Sequence, residues 1–204
     1  MEVCLVDYQE HRKSDVIQLH AEVFGNSLAT SVYAEKILSI GKNVLALDND
    51  RVVGFGLSAT VGSAPTSSQS SQLDSINSLI KWSESNDTRS ALAVILTHNW
   101  SREVTVTGFD RDHEDEPVRA LNSDWYMSYL AVAPNYRSNG LGQKLVEYRM
   151  NIARAYQASK VFALLHTESL GVVRIYEKLQ FIPIIELSNA YPDGSPSRLV
   201  YKKL

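Results

Sequence analysis

The sequence predicts a single-domain mixed α/β protein, a β-sheet flanked by helices, and three observations carry that expectation. Strand-like and helix-like periodicities alternate through the C-terminal third of the chain. Within it, "VFALL" (161–165) has no polar alternation, which suits a strand covered on both faces, and a strand–helix–strand unit of this length makes its two strands parallel neighbours. Earlier, "NVLALDNDRVVGFGLSATVG" (43–62) gives two β-rich runs joined by Asp48-Asn49-Asp50, a turn-forming cluster and the clearest hairpin in the chain. With 204 residues, 44% of them hydrophobic, residues 1–204 bury a substantial core as one domain.

The elements follow in order. "EVCLVDY" (2–8) is a short strand. "KSDVIQLHAEVFG" (13–25) puts Val16, Leu19, His20 and Val23 on one helical face before Gly25 stops it, and a second helix is expected in "ATSVYAEKILSIG" (29–41). After the hairpin, "SAPTSSQSSQLDS" (63–75) is too polar to repay ordering by burial and reads as a mobile loop. A helix near Leu73 to Trp82, an ambiguous apolar run at Ala91 to Leu96 and a strand in "EVTVTGF" (103–109) come next. "DRDHEDEP" then sets five acids at 110–116, either a solvated loop or an acidic rim that attracts cations. The remaining strands are "WYMSYLAV" (125–132), "KVFALL" (160–165), "FIPIIEL" (181–187) and "SRLVYKKL" (197–204), with helices in "GLGQKLVEYRMNIARAYQ" (140–157) and "SLGVVRIYEKL" (169–179). In the longer of these helices Leu141, Leu145, Tyr148, Ile152 and Ala155 form the expected apolar stripe.

Composition narrows the function. A net charge of −3 with both signs scattered offers no basic stripe for a phosphate backbone, so nucleic acid is a poor partner and a small molecule or a protein a better one. The single cysteine, Cys4, excludes an internal disulfide and sits in an apolar strand, where it is a poor nucleophile. No apolar stretch has the length of a membrane span, and the N-terminus lacks the pattern of a secretion signal, so a cytoplasmic protein is expected, monomeric or homodimeric. No metal site is read from the sequence.

The richest stretch is "YLAVAPNYRSNGLGQKLVEYR" (129–149). A strand ending at Val132, a turn at Pro134 to Arg137, and glycines 140 and 142 opening a helix form an anion site, because exposed N–H groups at a helix start meet a favourable dipole end. Glycine lets the backbone approach a bulky ligand, and Arg137 adds a charge that makes two hydrogen bonds to phosphate. Dipole effects are worth only about 0.3–1 kcal/mol at an exposed site, so several N–H groups and the arginine must act together, and a pyrophosphate is the expected ligand. The Gly-x-Gly-x-x-Gly turn of dinucleotide folds and the Gly-Lys-Ser/Thr ending of nucleoside-triphosphate loops are both absent.

The stretch resembles the acetyl-coenzyme A (acetyl-CoA) loop of the GCN5-related N-acetyltransferase (GNAT) family, Gln/Arg-x-x-Gly-x-Gly/Ala, here Arg137-Ser138-Asn139-Gly140-Leu141-Gly142. The strand before it, "KVFALL" and "SLGVVRIYEKLQF" fall in the family's order and spacing, so the resemblance is strong over about 125–204 and looser over the first 60 residues. Residues 63–122 then read as an insertion holding the serine-rich loop. The resemblance implies a centrally splayed sheet, acetyl-CoA as cosubstrate, and acetyl transfer to a primary amine by direct attack, without a covalent enzyme intermediate. It implies that backbone groups of Leu130 and Val132, with Ala131 between them, hold the pantetheine arm. Arg137 and the N–H groups of Ser138, Asn139, Gly140, Leu141, Gly142, Gln143 and Lys144 hold the pyrophosphate. Ser169 stands where the family often has an asparagine contacting the arm, and Leu179-Gln180-Phe181 replaces the usual Leu-Gly-Phe, which puts Gln180 in a left-handed conformation if the glycine's freedom is used there.

Tyr176 has two readings. By residue type and its spacing from Val172 and Leu179 it is a core residue with its hydroxyl outward, whereas its place in the family pattern implies a general acid for the thiolate leaving group. An alkylammonium with a pKa near 10.4 is free base about once in 10³ molecules at neutral pH, so a base is also needed. Glu22 on the first helix is one candidate, and His166, with Glu168, beyond the buried strand is the other. The acidic residue of the insect arylalkylamine branch, in Glu-Pro-Leu, is replaced by Asn26-Ser27-Leu28, and the histidines of the vertebrate branch by Tyr126 and Ser128, so neither branch's base carries over. The acidic run and the lack of a basic cluster favour a small cationic or aromatic amine. A protein or peptide N-acetyltransferase and an inactive CoA-binding sensor are the alternatives.

Overall fold

The computed structural model describes residues 2–25, 34–35, 37–60, 105–109, 123–188 and 195–204. The serine-rich loop, the expected helix at 73–82, the apolar run at 91–96, the acidic run at 110–116 and Asn26-Ser27-Leu28 lie outside the described residues, as does part of the second helix. Eight strands are described: β1 (Cys4–Asp7), β2 (Val44–Asp48), β3 (Arg51–Thr60), β4 (Thr105–Phe109), β5 (Trp125–Val132), β6 (Lys160–His166), β7 (Ile182–Ser188) and β8 (Ser197–Lys203). They form one sheet in the order β1-β2-β3-β5-β6-β8-β7-β4, antiparallel throughout except for the expected parallel pair β5–β6. Helices α1 (Lys13–Phe24), α2 (Leu141–Ala155) and α3 (Leu170–Lys178) cover it, with further helical residues at 37–40.

The hairpin is built as its sequence requires. Asn49 and Asp50 take φ of 46° and 67°, the two left-handed positions of a primed two-residue turn whose twist matches the strands it joins. Arg12 ties the turn to α1 by donating to the Asp50 carbonyl at 2.9 Å and pairing with its carboxylate.

The sheet has two covered faces. On one, Val16 and Leu19 of α1, with Ala34, Ile37 and Leu38, pack on Phe55, Leu57, Ala59 and Ala131, with Tyr129 beside them. On the other, α2 and α3 bring Leu145, Val146, Met150, Ala153 and Tyr176 against Trp125, Met127, Val161 and Ala163. Alternation along β5 therefore sends Tyr129 and Ala131 to the α1 face and Leu130 and Val132 to the α2 face.

The expected stripe on α2 is corrected. Leu141 and Leu145 are buried, but the buried line then continues through Val146, Arg149, Met150 and Ala153, while Tyr148 and Ile152 are half-buried and Ala155 is exposed. Leu145, Arg149 and Ala153 are spaced four apart on one face, so the helix turns a charged residue to the sheet. Gly56 makes that possible: a Cβ there would lie 2.7 Å from Arg149 Cδ.

His20, as its place on the apolar face of α1 predicts, is fully buried. Its ring lies among Phe24, Phe55 and Tyr129, with centroids 5.0, 6.3 and 4.6 Å away, and neither nitrogen has a hydrogen-bond partner among the described residues. Burial lowers its pKa from 6.5 to about 4, so it is neutral in the fold. The unfolded chain takes up this proton near pH 6.5 and the folded chain only near 4, so acid favours unfolding across that interval. The share of stability from His20 is present above about pH 6.5 and falls by on the order of 3 kcal/mol as the pH reaches 4. Urea unfolding across this range should therefore show a shallower acid decline for His20→Phe than for the parent; parallel declines would contradict the assignment.

Candidate active site

Asp124, fully buried, closes one end of the β5–β6 pair. Its Oδ1 accepts from the Ser159 backbone N–H at 3.1 Å, the Ser159 hydroxyl at 2.8 Å and the Lys160 N–H at 2.9 Å. From there the strands pair for only three residues, Trp125↔Val161, Tyr126↔Phe162 and Met127↔Ala163. Beyond them β5 continues to Val132 bonded to β3, β6 continues to His166 bonded to β8, and residues 128–132 have no strand neighbour on their β6 side among the described residues. This is the splay that the sequence led us to expect.

At the branch point the β3–β5 ladder slips. Gly56 faces Leu130 and Ser58 faces Met127, so Leu57 opposes both Ser128 and Tyr129, a two-to-one bulge that leaves carbonyls free of the ladder. Arg149 fills the irregularity from α2: its Nη1 donates to the Leu57 carbonyl at 3.3 Å and the Tyr129 carbonyl at 3.4 Å, and its Nη2 donates to the Tyr176 hydroxyl oxygen at 3.2 Å. Tyr176 reaches this point from α3, 2% exposed, its ring edge-on to Phe181 at 4.8 Å. Its ring is thus the core residue that its type predicts, and its hydroxyl points at the place where the sheet opens. Sequence reasoning missed Arg149; the available signal was a charge on the line from Leu145 to Ala153 together with a glycine within β3.

The turn after β5 is a 3-10 segment, Pro134–Tyr136, fixed by the Tyr136 hydroxyl, which donates to the Asp48 carboxylate at 2.6 Å; that bond raises the tyrosine's pKa. Arg137 Nε donates back to the Val132 carbonyl at 2.9 Å, which anchors the exposed side chain and leaves its other donors without a partner among the described residues. Ser138 and Gly140 have φ of 63° and 75°. Among the described residues no side chain caps α2, and the Lys144 N–H to Gly140 carbonyl bond at 3.1 Å is its first, so the N–H groups of Leu141, Gly142 and Gln143 face the loop uncapped by them. The two glycines differ in role. Around Gly140 there is open space and its φ is the requirement, whereas a Cβ on Gly142 would lie 2.9 Å from Ile175 Cδ1, so Gly142 also permits the close approach of α2 and α3. Asn139 and Lys144 are exposed, and Gln143 donates to Glu147 at 2.8 Å.

Half-buried Ser169 precedes α3, where its carbonyl accepts from Val172 and Val173. Glu22 is exposed on α1, in a small cleft with Gln18, Arg51, Val52 and Ala133, and Tyr176 packs on the opposite face of the sheet. His166, half-buried, ends β6; Val161, Ala163 and Leu165 face α2 and α3, so alternation turns His166 to the α1 face. The structure thus sets Leu130 and Tyr176 on one face of the sheet, and His166 and Glu22 on the other. Among the described residues there is no cluster of metal-ligating side chains and no helix long and apolar enough to cross a membrane.

Gln180 occupies the left-handed conformation expected of it, with φ of 59°, and its N–H bonds the Glu177 carbonyl at 2.8 Å. A side chain there costs about 1 kcal/mol or more. Gln180→Gly should raise stability by up to about 1 kcal/mol, read as an increase of a few degrees in the thermal midpoint; an unchanged midpoint would show that the strain is absorbed elsewhere.

The family model described as "Acetyltransferase (GNAT) family" matches residues 13–181. Among solved structures, a mosquito arylalkylamine N-acetyltransferase like 5b is similar at 14% identity and a TM-score of 0.63, covering 100% of both chains. Arabidopsis thaliana Naa50, in complex with the bisubstrate analogue CoA-Ac-MVNAL, is similar at 13% identity and 0.61, also over 100% of each chain. The ribosomal-protein-S18-alanine N-acetyltransferase of Escherichia coli is similar at 11% and 0.62, with 99% of this chain and 94% of that chain covered. At these identities the three likenesses establish the fold. No curated protein matches the chain.

Proposed function

We propose that this chain, which belongs to the acetyltransferase (GNAT) family, acetylates a small-molecule primary amine that carries an apolar or aromatic arm. As a family member it is an N-acetyltransferase with acetyl-CoA as cosubstrate and amines as acceptors. The residues present suit that cosubstrate. The uncapped N–H groups at the start of α2, with Ser138, Asn139, Gly140, Lys144 and Arg137 around them, suit a pyrophosphate. Past the ladder, backbone groups of Leu130 and Val132 on the β6 side of β5 suit an amide-bearing arm, with Ala131 between them and Ser169 at the start of α3.

The observation that carries the reading is the Tyr176 hydroxyl at the end of the three-pair ladder. When bound, the cosubstrate supplies an activated thioester. Tyr176 donates a proton to the departing sulfur, and Glu22 or His166 accepts the amine's proton through water. The aromatic arm of the acceptor is supported by Phe24, 40% exposed and 5.1 Å from the half-buried Tyr129 ring on the α1 side of the opening.

Three measurements test this. In a steady-state screen of arylalkylamines, polyamines, amino acids and lysine-bearing or free-amine peptides, arylalkylamines should have the highest kcat/KM. Activity confined to peptides would overturn the small-molecule reading, and CoA binding without turnover on any amine would make the chain a sensor. Tyr176→Phe should lower kcat by roughly 10²–10⁴-fold with unchanged CoA affinity. Arg137→Ala should weaken CoA binding by about 10–100-fold in calorimetry without altering the unfolding midpoint, the range for losing hydrogen bonds to a charged group.

A further inference from the structure

We propose that Arg149 is a positioning residue for the transfer: it holds the Tyr176 hydroxyl so that its proton points into the gap between β5 and β6, and it stabilises the charge left when that proton departs. The proposal rests on the reading of Tyr176 as proton donor.

Arg149 has no exposure, and no carboxylate lies within ion-pair reach of it among the described residues. Burying a guanidinium without a counter-charge costs several kcal/mol, and its Nε has no hydrogen-bond partner among the described residues, so the site is expensive as structure alone. The surrounding chain is nevertheless shaped to it. Gly56 leaves the space for its Cδ and Nε, and the β3–β5 bulge turns the Leu57 and Tyr129 carbonyls toward Nη1.

The direction of the proton follows from donor chemistry. A guanidinium has no acceptor, so in the 3.2 Å contact Nη2 donates and the Tyr176 oxygen accepts. The phenolic proton is therefore directed elsewhere, and the oxygen lies beside the branch point that Tyr129 marks. Because Nη1 is bonded to the Tyr129 carbonyl, the same side chain fixes α3 relative to the stretch of β5 that has parted from β6. In the transfer the amine lone pair forms the N–C bond and the C–S electron pair leaves on sulfur. Sulfur takes the Tyr176 proton, and the proton lost by nitrogen returns to the phenolate through solvent. Through the second half of that sequence a fixed cation next to the phenolate oxygen is favourable, and it needs no rearrangement to act.

The test compares Arg149→Met, Arg149→Lys, Tyr176→Phe and the double variant Tyr176→Phe/Arg149→Met. With the best acceptor of the amine screen, Arg149→Met should lower kcat by about 10–100-fold with the KM for acetyl-CoA within about twofold, and Arg149→Lys should recover part of the loss. On the Tyr176→Phe background the arginine substitution should change kcat by less than about twofold, because its effect acts through the hydroxyl. A second readout needs no acceptor: the parent should bind CoA more tightly than desulfo-CoA, and Tyr176→Phe and Arg149→Met should each reduce that preference. A normal kcat in Arg149→Met, or an equal loss on both backgrounds, overturns the proposal and returns Arg149 to a structural role. Normal turnover and an unchanged sulfur preference in Tyr176→Phe overturn the prior reading instead. Should Arg149→Met fail to fold, Arg149→Lys carries the same comparison on the two backgrounds.

Discussion

Two parallel strands that hydrogen-bond for three residue pairs and then part are the constraint on which the rest of this molecule depends. Asp124 binds their beginning through three donors of Ser159 and Lys160, so the closed end is held as firmly as a buried carboxylate can hold it. Past Met127 and Ala163 each strand stays with the neighbour on its other edge: β6 matches β8 over seven residue pairs, and β5 follows β3. A sheet opened in this way presents backbone donors and acceptors that a close-packed protein does not leave unmet. An extended, amide-bearing ligand arm satisfies them in the manner of an added strand.

The opening is held by polar groups that a core built for stability alone would avoid. On the α2 face the Arg149 guanidinium bonds the carbonyl of Tyr129; on the α1 face the His20 imidazole meets the ring of the same tyrosine at 4.6 Å. The two groups answer burial differently. Burial lowers the His20 pKa to about 4 and favours its neutral form, whereas a guanidinium does not deprotonate in proteins and must be met by oxygen dipoles. That the bulge, Gly56 and Tyr176 converge on those dipoles argues that the cost is local to a working site, since natural sequences break the rules of burial where function asks for it.

Much of this was legible from local sequence. The bounds of β5, the hairpin with its two left-handed residues, and the uncapped glycine turn before α2 are each set by residues within a few positions of one another, and turn and strand propensities read such information directly. The left-handed Gln180 was legible too, through the family pattern. What escaped was non-local. The stripe on α2 was drawn by hydropathy through Tyr148 and Ile152, but the face turned to the sheet was decided by Gly56 and the carbonyls of Leu57 and Tyr129, about 90 and 20 residues away in the chain. Parallel pairing of β5 and β6 could be inferred from the connection length; where the pairing ends could not, because a one-residue slip against β3 sets it.

The sheet also bears on the base that the proposed reading requires. The bulge adds a residue to β5 between Met127 and Leu130, so beyond it β5 runs one residue out of step with β6. Val161, Ala163 and Leu165 face α2 and α3, and alternation turns His166 away from them. Glu22 belongs to a helix on that same α1 face, in the cleft beside Ala133. On that reading a direct attack, in which nitrogen loses a proton as sulfur gains one, has its donor reaching in from α3 on one face of the sheet and its acceptor on the other, so the two proton transfers run through the opening and not along one side of it.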